Sequence, residues 1–178
     1  MKKIVLAAVL AVVGGAASAE GYVGVVAGVT KINSECSAGF SCDDSDSGYK
    51  VYGGYEVAPN IAIEVAYTDF GKTSFDYGSA HAEIKGSAVA VLGALRGQFS
   101  NDWAGVARLG LASVKGKASS NFGYNGSESN VKPYASFGVE YAVTKGLKIT
   151  GSADFTQVEY DGDSGAAYLV GVGLQYNF

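Results

Sequence analysis

No stretch of this chain is long and apolar enough to cross a bilayer as a helix. Past the first twenty residues the longest apolar run spans Ala88 to Leu95, far short of the roughly 18 residues a transmembrane helix needs. No amphipathic window gathers helix formers either, which sets helical bundles aside. Basic residues form no stripe, and the formal net charge is −4, so nucleic acid is not an expected partner. The only two cysteines, Cys36 and Cys42, have no histidine nearby, so they do not complete a zinc site. The glycines fall at strand spacing rather than in a phosphate-cradling loop. No linker and no internal repeat divides the chain, and no cofactor is expected.

What is present points to export. The opening MKKIVLAAVLAVVGGAASA joins Lys2 and Lys3 to an apolar run and a small-residue Ala17-Ser18-Ala19 end, the three parts of a secretory signal. The run is too short to span as a helix. Cleavage between Ala19 and Glu20 would leave 159 of the 178 residues, enough for one domain over 20–178, with a net charge of −6 once Lys2 and Lys3 leave. In an oxidising destination Cys36 and Cys42 are expected to form a local disulfide. Closing so small a ring contributes about 2 kcal/mol and chiefly stiffens its loop.

The composition beyond the signal is that of an all-β chain, with 48% hydrophobic residues, 26 Gly, 12 Tyr and 8 Phe. Apolar and small or polar residues alternate with period 2 in segment after segment, the mark of strands with two unlike faces. The clearest is the last, AAYLVGVGLQYNF, where Tyr168, Val170, Val172, Leu174, Tyr176 and Phe178 share one parity. Eight strands are expected: Glu20–Ile32, Gly48–Val57, Ile61–Phe70, Ala82–Phe99, Trp103–Lys117, Val131–Val143, Leu147–Tyr160 and Ala166–Phe178. The facing of the first is blurred, because valines occupy both parities. Pro133 lacks a ladder donor, so regular pairing is expected to start near Tyr134.

Turn chemistry orders the strands. Tight turns at Ala58–Asn60, Ser100–Asp102 and Thr144–Gly146 follow even-numbered strands, while longer polar loops at 33–47, 71–81, 118–130 and 161–165 follow odd-numbered ones. An even strand count with short turns at one rim and long loops at the other is the layout of an antiparallel up-and-down transmembrane β-barrel. The apolar parities avoid charge, and one Lys or Arg facing mid-bilayer lipid would cost about 2–4 kcal/mol. The opposite parities hold Glu56, Glu64, Arg96, Arg108, Glu140, Lys148 and Asp154 among small residues, which suits a narrow interior, and Gly171 and Gly173 of the last strand are expected to make room for these charges. A soluble barrel would instead crowd Phe99, Trp103, Tyr141, Val143, Tyr176 and Phe178 inside. They fit better as a girdle at the short-turn interface.

These features resemble the small eight-stranded outer-membrane barrels, the OmpA transmembrane-domain and OmpX-like group that also includes opacity-type proteins. The resemblance covers Glu20 to Phe178 and rests on the signal, the strand rhythm and the closing GVGLQYNF. It implies a Gram-negative outer-membrane location reached through the periplasm. It also implies a C-terminal signal, Tyr176 and Phe178, read by the barrel assembly machinery. The sequence ends at Phe178 without the peptidoglycan-binding domain of full-length OmpA-type proteins, so no cell-wall tether is expected.

Four inward residues at comparable heights, Glu64, Arg96, Arg108 and Glu140, are expected to form an interior charge cluster, and OmpA-like barrels are similar in having one. Such a cluster either plugs the lumen or forms a constriction for water and ions. The expected role is structural or surface-interacting. The expected partners are outer-membrane lipid, lipopolysaccharide and surface ligands met by loops 33–47 and 118–130, and the barrel is expected to be a monomer. A narrow pore is the first alternative. A lipid A-modifying enzyme is the second, for which Ser79, His81 and Glu83 share a strand parity, but these are ordinary loop-edge residues and no enzyme is expected. Asp43, Asp44 and Asp46 do not match a calcium loop.

Overall fold

The computed structural model describes residues 21–33, 45–77, 80–120, 125–160 and 163–178. These form eight strands: β1 (Gly21–Asn33), β2 (Ser45–Ala58), β3 (Ile61–Tyr77), β4 (Ala80–Gln98), β5 (Trp103–Ser120), β6 (Asn125–Ala142), β7 (Leu147–Tyr160) and β8 (Asp163–Asn177). They pair in sequence order, all antiparallel, and β8 returns to β1 to close the barrel. Closure runs from Tyr22↔Asn177 to Asn33↔Ala166. It is clamped at the rim, where Gly21 and Phe178 exchange both backbone hydrogen bonds, at 3.2 and 2.9 Å. A closed barrel leaves no unpaired edge, as a lipid environment requires.

Alternation sets the two faces. Val65, Val91, Leu109, Phe137, Val139, Val172 and Leu174 are exposed on the outside, whereas Tyr22, Tyr52, Glu64, Arg108, Tyr134 and Glu140 are buried inside. Aromatic residues bracket the outer apolar band. At the short-turn rim the Trp103 and Tyr141 rings lie 4.9 Å apart, and Tyr176 stacks near Phe178 at 6.5 Å. Near the other rim Tyr49 meets Tyr67 at 6.1 Å and Phe155 meets Tyr168 at 6.5 Å. Two girdles flanking a charge-free band are the signature of a bilayer-spanning barrel. The first strand, ambiguous by composition, turns Tyr22, Val26 and Thr30 inward and Val25 and Val29 outward.

Three expectations are corrected. The segments expected as loops at 71–81, 118–130 and 161–165 are largely strand, because the β3–β4, β5–β6 and β7–β8 ladders continue to Tyr77↔Ala80, Ser119↔Asn125 and Tyr160↔Asp163. Beyond the membrane neither face must be apolar, so period 2 in hydrophobicity fades while the hydrogen-bonded ladder persists. The β5–β6 ladder also passes through Pro133, opposite Leu111. Only the β6–β7 ladder begins after it, at Tyr134↔Thr156, and the Pro133 carbonyl accepts from Thr156 Oγ1 at 3.0 Å. Gly171 and Gly173, which look like room for the interior charges, instead allow close approach of backbones, since a Cβ there would collide with the Ala27 and Val25 carbonyls of β1.

Two local devices shape the sheet. Pro59 and Asn60 turn β2 into β3, with Asn60 at φ 67°, a left-handed conformation that Asn tolerates. Gly71, at φ 72°, sits where the β3–β4 register shifts between Asp69 and Lys72. A bulge of this kind needs the residue least penalised at positive φ.

Candidate functional site

The interior is where the alternating pattern concentrates chemistry. Nearest the short turns, Arg96 of β4 donates through Nε to Glu140 Oε2 of β6 at 2.9 Å and through Nη1 to Glu56 Oε1 of β2 at 2.6 Å. Lys148 of β7 adds a third cation contact, donating to Glu140 Oε2 at 3.1 Å. Glu140 thus collects positive charge from β4 and β7, and Arg108 Nη2 approaches its Oε1 at 3.8 Å.

Arg108 of β5 reaches across the lumen. Its Nε donates to Glu64 Oε2 of β3 at 2.7 Å, and both side chains are only 1% exposed. The second Glu64 oxygen accepts from Tyr22 Oη of β1 at 2.6 Å. The guanidinium carbon of Arg108 lies 5.2 Å from the Tyr52 ring centre, and that of Arg96 lies 5.0 Å from the Tyr22 ring. Both distances fall within cation–π range. The four residues singled out by parity, Glu64, Arg96, Arg108 and Glu140, are therefore brought together in one network.

Further toward the long-hairpin rim lies a separate ion pair. Lys50 Nζ of β2 donates to both Asp154 carboxylate oxygens of β7, at 2.7 and 2.8 Å, and to Ser152 Oγ at 3.2 Å. Tyr134 Oη and Thr68 Oγ1 share a hydrogen bond of 2.9 Å, and Tyr52 Oη donates to Gln175 Oε1 at 3.0 Å. Not every polar group is paired within the protein. Among the described residues, buried Arg108 Nη1 and Nη2 and Ser136 Oγ have no hydrogen-bond partner.

Lys50 and the tyrosines are the part that composition conceals. Small residues with scattered charges are expected inside, and parity puts Tyr52 and Tyr134 on that same face. Tyr22, Tyr52 and Tyr134 are among the most buried side chains, each with its hydroxyl engaged. Their places are legible only through parity, since Tyr52 alternates with Val51 and Tyr134 with Pro133. Tyr22 and Tyr52 pack reciprocally on β1 and β2. Tyr22 lies opposite Gly54 and Gly24 opposite Tyr52, and a Cβ at either glycine would collide with the facing ring. The two rings meet edge-on at 6.3 Å.

Tyr176 and Phe178 lie exposed on the outer face. Cys36, Cys42, Ala19 and Glu20 lie outside the described residues, as do Asp43, Asp44, Ser79 and the side chains of His81 and Glu83.

The family model for the outer membrane protein β-barrel domain matches residues 4–178. No curated protein matches the sequence. Among solved structures, neisserial surface protein A shares 14% identity over 89% of this chain and 97% of its own, with a TM-score of 0.67. Ail, the attachment invasion locus protein of Yersinia pestis, solved with the heparin analogue sucrose octasulfate, shares 16% over 90% of this chain and 100% of its own, with a TM-score of 0.58. The N-terminal β-barrel domain of Pseudomonas aeruginosa OprF shares 14% over 89% and 97%, also at 0.58. At such identities these likenesses concern the fold alone.

Proposed function

This chain belongs to the outer membrane protein β-barrel family and resides in the cell outer membrane, and from that premise we propose that it is a structural and surface-interacting barrel whose lumen is closed by its own side chains. One observation carries this reading. The Arg108–Glu64 pair sits mid-lumen at 2.7 Å with each partner 1% exposed, so solvent entering from either rim does not reach it. The Arg96–Glu140 and Lys50–Asp154 ion pairs and the Tyr22, Tyr52 and Tyr134 rings are buried on either side of it. Interior charges that satisfy one another form a plug that can be near neutral for stability as a set.

In this reading the first nineteen residues direct export and are removed, Tyr176 and Phe178 present the last strand to the barrel assembly machinery, and the long-hairpin rim meets lipopolysaccharide and surface ligands. The barrel acts as a monomer without catalytic activity. A narrow hydrated path is the second reading. It is favoured by the Arg108 Nη1 and Nη2 and Ser136 Oγ atoms, which lack partners among the described residues and which water would satisfy. Planar-bilayer recording separates the two. The closed reading expects no steady current from the refolded barrel, and a reproducible single-channel step from the wild-type protein would replace it with the pore.

A further inference from the structure

On the outer wall beside the β4–β5 hairpin lies a groove of about 600 Å³. Gly97, Gly105 and Ala107 leave backbone at its floor, and Ile61, Leu95 and Phe137 stand around it. Gly97 lies directly opposite Gly105. On the other side β3 begins only at Ile61, opposite Leu95, so Gly97 has the Pro59–Asn60 turn beside it instead of a strand. Packing within the barrel does not call for these glycines. A Cβ at Gly97 would meet no atom within 4 Å, and one at Gly105 nothing closer than 3.9 Å. The β4–β5 register also runs through them without a bulge. Glycine weakens a strand interior, and with neither of those reasons present it marks the close approach of something else. Gly53 and Gly151 also face outward with room for a Cβ. Each, however, lies between two valines, Val23 and Val65 for Gly53 and Val139 and Val172 for Gly151. Only at Gly97 and Gly105, among the described residues, does an outward glycine face another.

Depth and rim charge identify the occupant. Gly105 and Ala107 are two and four residues along β5 from Trp103 of the short-turn girdle. At about 3.3 Å per residue on a strand tilted by about 40°, they stand roughly 5 and 10 Å inside the apolar band. At that depth the surrounding medium is hydrocarbon, so an acyl chain fills the groove. A chain against a plain strand face touches protein on one side, whereas here it touches a floor and two walls. In a membrane such added packing, rather than transfer from water, is what holds a neighbour in place. Short turns face the periplasm, so the chain belongs to a lipid of the periplasmic leaflet. The two turns at the mouth of the groove, Ala58–Asn60 and Ser100–Asp102, carry a single charge, Asp102. It is exposed and adjoins Trp103, inside the headgroup layer of about 5–8 Å. The basic residue of the short turns, Lys145, belongs to the β6–β7 turn. An acid at the mouth favours a headgroup that ends in an ammonium over an anionic one.

We propose that the Gly97–Gly105 groove seats one acyl chain of phosphatidylethanolamine from the periplasmic leaflet, with the lipid ammonium on the Asp102 carboxylate. The site rests on the outer-membrane placement and is independent of whether the lumen conducts. It makes the barrel's lipid shell asymmetric, with one lipid held at the β4–β5 hairpin.

The test uses the full barrel in nanodiscs of equal phosphatidylethanolamine and phosphatidylglycerol, released and weighed by native mass spectrometry. Wild type is expected to keep one phosphatidylethanolamine in excess over phosphatidylglycerol. Gly97→Val/Gly105→Val fills the groove and is expected to lose that lipid. Its urea midpoint in vesicles should equal or exceed that of wild type, because the added methyls enter open space. Gly151→Val is expected to retain lipid as wild type does. Asp102→Asn is expected to lower the preference for phosphatidylethanolamine by about two- to fivefold, the range of an exposed ion pair. If the double valine variant does not fold, Gly97→Ala/Gly105→Ala replaces it with the same expected direction. Undiminished retention by the filled variant would overturn the proposal, as would equal retention of the two lipids by wild type. An unchanged lipid preference in Asp102→Asn would overturn the headgroup assignment. A two-barrel mass that the valines abolish would give the groove to a second copy of the chain instead.

Discussion

Tyr22 and Glu64, 42 residues apart in sequence, meet inside the barrel with the Tyr22 hydroxyl donating to Glu64 Oε1 at 2.6 Å. Neither lies on a strand that pairs with the other's. The other Glu64 oxygen takes Arg108 Nε from β5, so one carboxylate ties together three strands that the sheet itself keeps apart. The same pattern recurs with Arg96, Glu140 and Glu56, and with Lys50 and Asp154. These cross-lumen bonds brace the barrel's cross-section, which the ladder bonds alone do not fix.

Glu64→Gln tests that brace. It leaves the Arg108 guanidinium buried without its carboxylate, and removing one partner of a buried pair costs about 3–5 kcal/mol. The urea midpoint of the barrel refolded in lipid vesicles should fall accordingly. Glu64→Gln/Arg108→Met, which removes the whole pair, should recover much of the loss. An unchanged midpoint in Glu64→Gln would remove the pair from any account of stability.

Lys50 and Asp154 allow the same cycle where the contact is bidentate. Asp154→Asn and Lys50→Met should each destabilise, and the double variant should lose less than the sum. A coupling of about 1–3 kcal/mol is expected for residues in one buried network. Additive losses would mean that the two charges act independently.

Gly24 and Gly54 offer a geometric test. Gly24→Ala pushes a methyl into the Tyr52 ring, and Gly54→Ala pushes one into Tyr22. Overpacking of this kind costs about 1–3 kcal/mol. Tyr52→Leu should relieve Gly24→Ala but not Gly54→Ala, and Tyr22→Leu the reverse. Rescue without that pairing would contradict the reciprocal packing.

Leu109 faces outward, 65% exposed, opposite Ala135 in the middle of the band. Leu109→Lys should cost about 2–4 kcal/mol in a bilayer, whereas Val131→Lys, near the outer girdle, should cost about 0–1 kcal/mol. Equal penalties at the two depths would be incompatible with this placement of the membrane.

Much of the architecture is legible in the residue order because the bilayer imposes a strict code. Lipid on one side and a narrow lumen on the other force period 2, so the strand count, the short turns at Ala58–Asn60, Ser100–Asp102 and Thr144–Gly146, and the inward parity of Glu64, Arg96, Arg108 and Glu140 can all be read off. That code ends where the membrane ends. Beyond the girdles both faces are wet, so the extensions of β3 to Tyr77 and of β6 back to Asn125 carry no hydrophobic signature. Their ladders are set by the hairpin partner instead. Lys50 was equally visible by parity but lacked an obvious partner, because Asp154 stands 104 residues away.

The sequence by itself determined how many times the chain crosses, which face of most strands meets lipid, and that charge accumulates inside, since each follows from local alternation and transfer energy. The tertiary structure alone decided which charge meets which. Strand stagger and barrel closure fix the distances across the lumen, and these join Arg108 to Glu64, Arg96 to Glu140 and Lys50 to Asp154.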